Sequence, residues 1–198
     1  MEKHKEKPVE IELKARVDCP EDCKKRLISL AGEGTAFSKD DVYWIIPDIV
    51  LQLRQSPLSG TFSGLRVRWE RAGENTYTWI TWKNKKRQCG IEVNEEHEVE
   101  IKGGADVEEL LALLGLEKKI SKRKQGWSWH YNGITAELCK VNGLRNLGWF
   151  LELEILAKED SVETVTAAKE QLLALLGKTG IEETKIESRY YTELMTDA

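Results

Sequence analysis

Val9, Ile11 and Leu13 alternate with Glu10, Glu12 and Lys14 near the start of this chain. A two-residue period is that of a β-strand, whose successive side chains point to opposite faces. One face of such a ribbon is aliphatic and the other wholly ionic. The habit returns in Leu65, Val67 and Trp69 against Arg66 and Arg68, and in Ile80 and Trp82 against Thr81 and Lys83. It returns again in Glu96, Glu98 and Glu100 against His97, Val99 and Ile101, and in Glu152 and Glu154 against Leu151, Leu153 and Ile155. Further strands are predicted at Asp41–Ile46, Ile120–Lys124 and Trp127–Tyr131, with Gly-containing turns at Ser59–Gly64 and Ala72–Asn75. The reading is roughly eight strands.

Three of the acidic strands lead into an apolar helix, so the pattern is a loose internal repeat. The first helix follows Asp18-Cys19-Pro20 and ends near Gly32; the second follows Asp106 and ends at Gly115; the third is capped by Asp160 or Ser161 and ends at Gly177. Gly after the last apolar residue is a helix stop. An ordinary antiparallel sheet also alternates, with its polar side to water. Here the apolar side carries Trp69 and Trp82, read as core, and three amphipathic helices are available to cover it. With the helices outside, the ionic faces turn inward. A closed barrel of about eight strands has an interior just wide enough for side chains or one small ligand. The expected class is α+β, a closed antiparallel barrel with helices packed outside.

Unpaired buried charges cost several kcal/mol each, so such a bore must neutralise itself or meet ligands of opposite sign. Glu10, Glu12, Glu96, Glu98, Glu152 and Glu154 offer hard oxygen ligands for Mg²⁺ or Mn²⁺, and Lys14, Arg66, Arg68, Lys83, Lys122 and Lys124 offer partners for a polyanion. A metal-chelated triphosphate matches that mixture. The 198 residues fit one domain, residues 1–198, with 1–8 as a flexible tail. A net charge of -4 gives no basic field for non-specific nucleic acid, and no apolar run approaches the roughly 20 residues of a membrane span. The charged start lacks a secretory signal's apolar middle, which predicts a cytoplasmic protein. Cys19, Cys23, Cys89 and Cys139 are too few and irregular for a disulfide framework, and His97 and His130 lack a second ligand at zinc spacing. A monomer and a homodimer both suit the sequence.

Glu10-Ile11-Glu12-Leu13-Lys14 resembles the ExExK signature of the CYTH family, the triphosphate tunnel metalloenzymes. Gly64-Leu65-Arg66-Val67-Arg68 is similar to that family's LRxR strand, Thr81-Trp82-Lys83 to its TxK strand, and Glu96-His97-Glu98 to its middle acidic strand. Asp41-Val42-Tyr43-Trp44, Lys122 to Trp127, Leu147 to Glu154 and Ser188 to Leu194 resemble its DxYY, KxRxxY, LGxFxExE and SYxxL elements. The resemblance implies an eight-stranded antiparallel tunnel. It assigns metal ligation to Glu10, Glu12, Glu152 and Glu154, with Glu96 or Glu98 assisting, and phosphate binding to Lys14, Arg66, Arg68, Lys83, Lys122 and Lys124. Glu12, Lys14 and Lys83 become the catalytic expectation. Glu92 and Glu100 share the parity of the middle acidic strand, which leaves a two-residue shift of register open there. The chain departs from the family where Cys139 replaces an Asp, where Lys124 with Arg123 beside it replaces an Arg, and where Arg145 and Asn146 extend a tight turn.

The economical reaction is metal-dependent hydrolysis of inorganic triphosphate, thiamine triphosphate or a nucleoside triphosphate. Cyclisation of ATP to cyclic AMP uses the same cradle with a different nucleophile, and a polyphosphate-binding module without turnover is a third reading. Trp127, Trp129 and Trp149 are the aromatic residues considered for stacking on a base, against the alternative of core packing.

Overall fold

The computed structural model describes residues 8–45, 64–102 and 106–196. The expected tail apart from Pro8, the turn residues 59–63 and Ile46 lie outside them. Eight strands form: β1 (Val9–Arg16), β2 (Thr35–Ile45), β3 (Gly64–Ala72), β4 (Asn75–Gln88), β5 (Ile91–Glu100), β6 (Glu117–Tyr131), β7 (Ile134–Asn142) and β8 (Asn146–Ala157). Their order is β1-β5-β4-β3-β2-β6-β7-β8, antiparallel throughout, with β8 pairing back onto β1 to close a barrel. Closure leaves no free sheet edge. Every inward-facing side chain is thereby set on a common wall.

Two sequence expectations change. Ile120–Lys124 and Trp127–Tyr131 are one strand, because Gly126 carries β6 past β7 where any Cβ would meet the Leu138 carbonyl oxygen at 1.9 Å. The eighth strand is instead β7, which follows a turn with Asn132 and Gly133 at φ 49 and 79. That backbone conformation favours Gly and tolerates Asn.

The described residues contain four α-helices: α1 (Pro20–Ala31), α2 (Val107–Leu113), α3 (Val162–Lys178) and α4 (Tyr191–Thr196). Gly32 ends α1 by donating to the Ile28 carbonyl, but Gly177 lies within α3, which runs on to Lys178. Of the two predicted caps, Ser161 accepts from the Thr164 N–H, whereas the Asp160 carboxylate pairs with Lys86. Helices α1 and α3 bury Cys23, Leu27, Val165, Leu172 and Leu176 against Ile11, Leu13, Val93, Leu138, Leu151 and Leu153 of the outer barrel face. Each fully buried Leu contributes about 1.5–3 kcal/mol, and this is the force that turns the opposite, ionic side of those strands inward. Trp127, Trp129 and Trp149 belong to this outer layer: Trp127 stacks on Trp149, and Trp129 donates to the Gly32 carbonyl. They do not face the bore. Helix α2 covers Trp44 and Val67, with Trp69 packed beside them; Trp82, expected as core, is 41% exposed.

Alternation of strand direction defines two rims. One carries Val9, the β3–β4 and β6–β7 turns and the ends of β5 and β8. The other carries Arg16 and the β4–β5 and β7–β8 turns, and α4, the helix the sequence pattern does not reveal, lies across it. Tyr191, Leu194 and Met195 pack there on Tyr43, Ile120, Val141 and Phe150. Arg145 donates to the Leu194 carbonyl at 2.8 Å and Arg87 to Glu193 at 2.8 Å. Among the described residues, α4 covers this rim and no element covers the first.

Candidate functional site: a charged bore closed at one end

The barrel encloses a cavity of about 280 Å³, at the lower end of the roughly 300–1,000 Å³ of ordinary small-molecule sites. All twelve candidate residues line it: Glu10, Glu12 and Lys14 from β1, Arg66 and Arg68 from β3, Lys83 from β4, Glu96 and Glu98 from β5, Lys122 and Lys124 from β6, Glu152 and Glu154 from β8. The same wall holds Lys39, Glu70, Lys85, Glu92 and Glu137, and at its closed end Tyr43, Tyr190 and Tyr191. The sequence pattern marks no role for these residues. Glu92 was visible as an alternative register of the middle acidic strand, and the structure brings Glu92, Glu96 and Glu98 together on the inner face of β5. Glu100, of the same parity, pairs with Trp79 at the open rim.

Nearly every charge in the bore is answered by another. Lys14 pairs with Glu92, Lys124 with Glu152, and Lys83 with Glu96 and with Glu10 at 2.8 Å. Arg66 reaches Glu98 at 3.3 Å and Glu96 at 3.4 Å, while Lys39 joins Glu137 and Glu70. Beneath them Asp41, fully buried, holds Arg68 at 2.6 Å and Lys122 at 3.2 Å. These two cations keep the Asp41 carboxyl well below its usual range although burial works against ionisation. By the same logic, burial opposes but Glu10 and Glu96 hold Lys83 well above its ordinary value. Tyr191 lays its ring over Lys14 and Lys122 at 5.3 and 4.8 Å, distances that suit cation–π attraction.

Among the described residues, three bore-lining charges have no opposite partner at ion-pair distance: Glu12, Glu154 and Lys85. Glu12 and Glu154 are direct cross-strand partners on β1 and β8, where like charges repel. Burial, with Glu10 and Glu12 beside it, pushes Glu154 up to about 8, and burial pushes Glu10 up to about 7 against the pull of Lys83. Lys85 lies over the Tyr190 ring at 4.5 Å; burial, and Lys83 and Lys122 nearby, lower its affinity for a proton.

A divalent cation fits the first of these deficits. As the side chains stand, no three acidic, His or Cys groups among the described residues close on one point, and Glu10 is turned to Lys83. The donor set is nonetheless all hard oxygen, which is the chemistry Mg²⁺ and Mn²⁺ require, and a cation there would take the place of the proton that burial leaves on Glu154.

The departures from the family pattern have plain geometric outcomes. Cys139 faces inward opposite Gly126 and Phe150, fully buried among apolar side chains. Burial and Glu152 push its thiol far up, so it is a neutral packing residue. Lys124 points into the bore while Arg123 points out and pairs with Asp40. Arg145, an extension of the β7–β8 turn, holds the end of α4.

A family model for the CYTH domain matches residues 8–191, and a search among curated proteins finds no match. The fold is similar to that of a Pyrococcus horikoshii protein, PH1819, at 28% identity and TM-score 0.78 over 94% of this chain and 97% of that one. It is similar to a candidate adenylate cyclase from Vibrio parahaemolyticus, at 17% identity and TM-score 0.68 over 95% and 98%. It is also similar to a Hippeastrum protein, described as a candidate adenylyl cyclase with a dominant triphosphatase activity, at 16% identity and TM-score 0.58 over 95% and 94%. With its matched span running almost end to end and its ionic bore in place, this chain belongs to the CYTH domain family.

Proposed function

We propose that this protein hydrolyses a triphosphate in the bore with the help of Mg²⁺ or Mn²⁺. The observation that carries the reading is the set of unmatched charges: Glu12 and Glu154 together at one place, Lys85 at another, inside a wall otherwise neutral. A cation answers the first and a phosphate the second. Glu10, Glu12 and Glu154 would hold the metal, with Glu152, Glu96 and Glu98 within the same cavity as further donors. When bound, the metal supplies charge neutralisation at the phosphoryl oxygens and lowers the pKa of a coordinated water.

The remaining work falls to the cations. Lys14, Lys83, Lys122 and Lys124 act as point donors to phosphate oxygens, and Arg66 and Arg68 as forks. Because α4 closes one rim, the phosphate chain enters from the other and its leading end stops near Lys85 and Tyr43. In hydrolysis a water oxygen bonds to the terminal phosphorus as its bond to the bridging oxygen breaks, and the lysines and arginines stabilise the charge that grows on the leaving diphosphate. Membership in a family with triphosphatase and cyclase relatives supports an enzyme. Cyclisation of ATP is the alternative outcome of the same cradle.

Purified protein given inorganic triphosphate, ATP or thiamine triphosphate with Mg²⁺ or Mn²⁺ is expected to release phosphate and to stop when the metal is chelated. Pyrophosphate with cyclic AMP would replace hydrolysis by cyclisation. Tight binding with no product from any of the three would reduce the protein to a binding module and end the catalytic reading.

A further inference from the structure

The bore changes chemistry at its open rim. Inside, its wall is carboxylate, ammonium and guanidinium; at the rim, β4 presents Trp79 on the same parity as Thr81 and Lys83, and Trp79 lines the cavity. Its cross-strand partners are Arg68 and Glu100, and Glu100 is the last residue of β5. The β3–β4 hairpin therefore overhangs the end of β5, and Tyr77, one inward position further out, stacks on Trp79 with ring centres 5.9 Å apart and planes 27° from parallel. Neither ring joins any of the apolar clusters that hold the barrel and helices together. Across the same rim, Leu156 continues the inward parity of Glu152 and Glu154 and is 60% exposed.

We infer that Trp79, backed by Tyr77, is a stacking shelf for an aromatic ring esterified to the outer end of the triphosphate. The preferred substrate is thus a ring-bearing organic triphosphate rather than inorganic triphosphate. This rests on the reading of the bore as a triphosphate site closed at the α4 end, since it is that closure which leaves the organic group at the mouth. A phosphate chain alone has no use for two half-buried aromatic rings outside the core. A planar base or thiazolium ring does: stacking on an aromatic side chain is worth about 1–3 kcal/mol per ring, and a cationic ring gains further from the face of Trp.

Calorimetric titration in Mg²⁺ with non-hydrolysable, methylene- or imido-bridged analogues of ATP, thiamine triphosphate and inorganic triphosphate tests both layers separately. The wild-type protein is expected to bind at least one ring-bearing ligand more tightly than inorganic triphosphate, and the two organic arms identify which ring. In Trp79→Ala the ratio of organic to inorganic affinity is expected to fall roughly tenfold or more, as loss of one stacking contact implies, and Trp79→Phe is expected to restore most of it. Equal affinity for all three ligands in the wild type, or a ratio that Trp79→Ala leaves in place, overturns the shelf while the triphosphate site stands. Failure to bind any of the three removes both.

Discussion

Lys85 and Lys14 face the same cavity from different strands, yet their removal has opposite consequences for the empty protein. Lys14 is paired with Glu92, so Lys14→Gln strands a buried carboxylate and is expected to destabilise the fold by about 3 kcal/mol. Lys85 has no carboxylate at ion-pair distance among the described residues and rests on the Tyr190 ring. Lys85→Gln strands nothing. Its unfolding midpoint in urea is expected to stay at or above that of the wild type, while triphosphate affinity falls roughly tenfold to a hundredfold, the loss of one charge-assisted hydrogen bond of about 1.5–3 kcal/mol. A variant that loses stability and keeps its affinity would mean that Lys85 is structural. Lys85 does not stand out in the sequence because Lys83-Asn84-Lys85-Lys86-Arg87 reads as a solvated charge run. Only the length of β4, which carries the alternation through to Gln88, puts Lys83 and Lys85 in the bore.

At the scale of elements, what the sequence discloses follows how strictly each strand alternates. β1 alternates without exception and β8 does so from Leu151 to Ile155, and that period alone is enough to place Glu10, Glu12, Lys14, Glu152 and Glu154 on one inner face. β7 escapes because its inner face changes along its length, from Thr135 and Glu137 in the ionic bore to Cys139 and Val141 under the apolar side of α4. Helix α4 escapes because six residues are too few to display a period. Its approach is nevertheless strongly fixed: the Glu187 N–H donates to the Lys14 carbonyl at 2.8 Å, and its carboxylate joins Arg16 and Arg189. Arg189, then burial acting the other way, then Arg16 bring the Glu187 carboxyl down to about 2 from 4.5. A depressed carboxyl stabilises the folded state above its unfolded pKa, and that contribution is lost as pH falls from about 4.5 through about 2. Since Arg16 and Arg189 are 40% and 49% exposed, water screens most of the pairing and about 1 kcal/mol remains. Glu187→Gln is therefore expected to lower stability by that amount at pH 7 and by progressively less towards pH 3, read by urea denaturation at each pH. A deficit that is constant with pH would assign the loss to packing instead.

For the molecule as a whole, a closed barrel whose inner wall neutralises itself must disassemble that neutrality in order to bind. Triphosphate alone would draw Lys14 from Glu92 and Lys83 from Glu10 and Glu96, leaving buried carboxylates without partners. Metal alone would draw Glu10 from Lys83 and leave that ammonium with Glu96 as its one carboxylate partner among the described residues. Each ligand relieves the deficit the other creates, so the two should bind with positive coupling, in the range of about 1–3 kcal/mol, or roughly 5- to 150-fold in affinity. The coupling must be reciprocal, since both ligands act on one set of ion pairs. Titrating tripolyphosphate with and without Mn²⁺, and Mn²⁺ with and without tripolyphosphate, should return the same factor once the complex they form in free solution is subtracted. Glu154→Gln should shrink that factor, because it removes one of the two unmatched carboxylates and with it much of the reason for a cation to enter. Equal affinities in the presence and absence of the second ligand would mean that the ion pairs across the bore stay intact on binding, and that the cavity is not where the triphosphate goes.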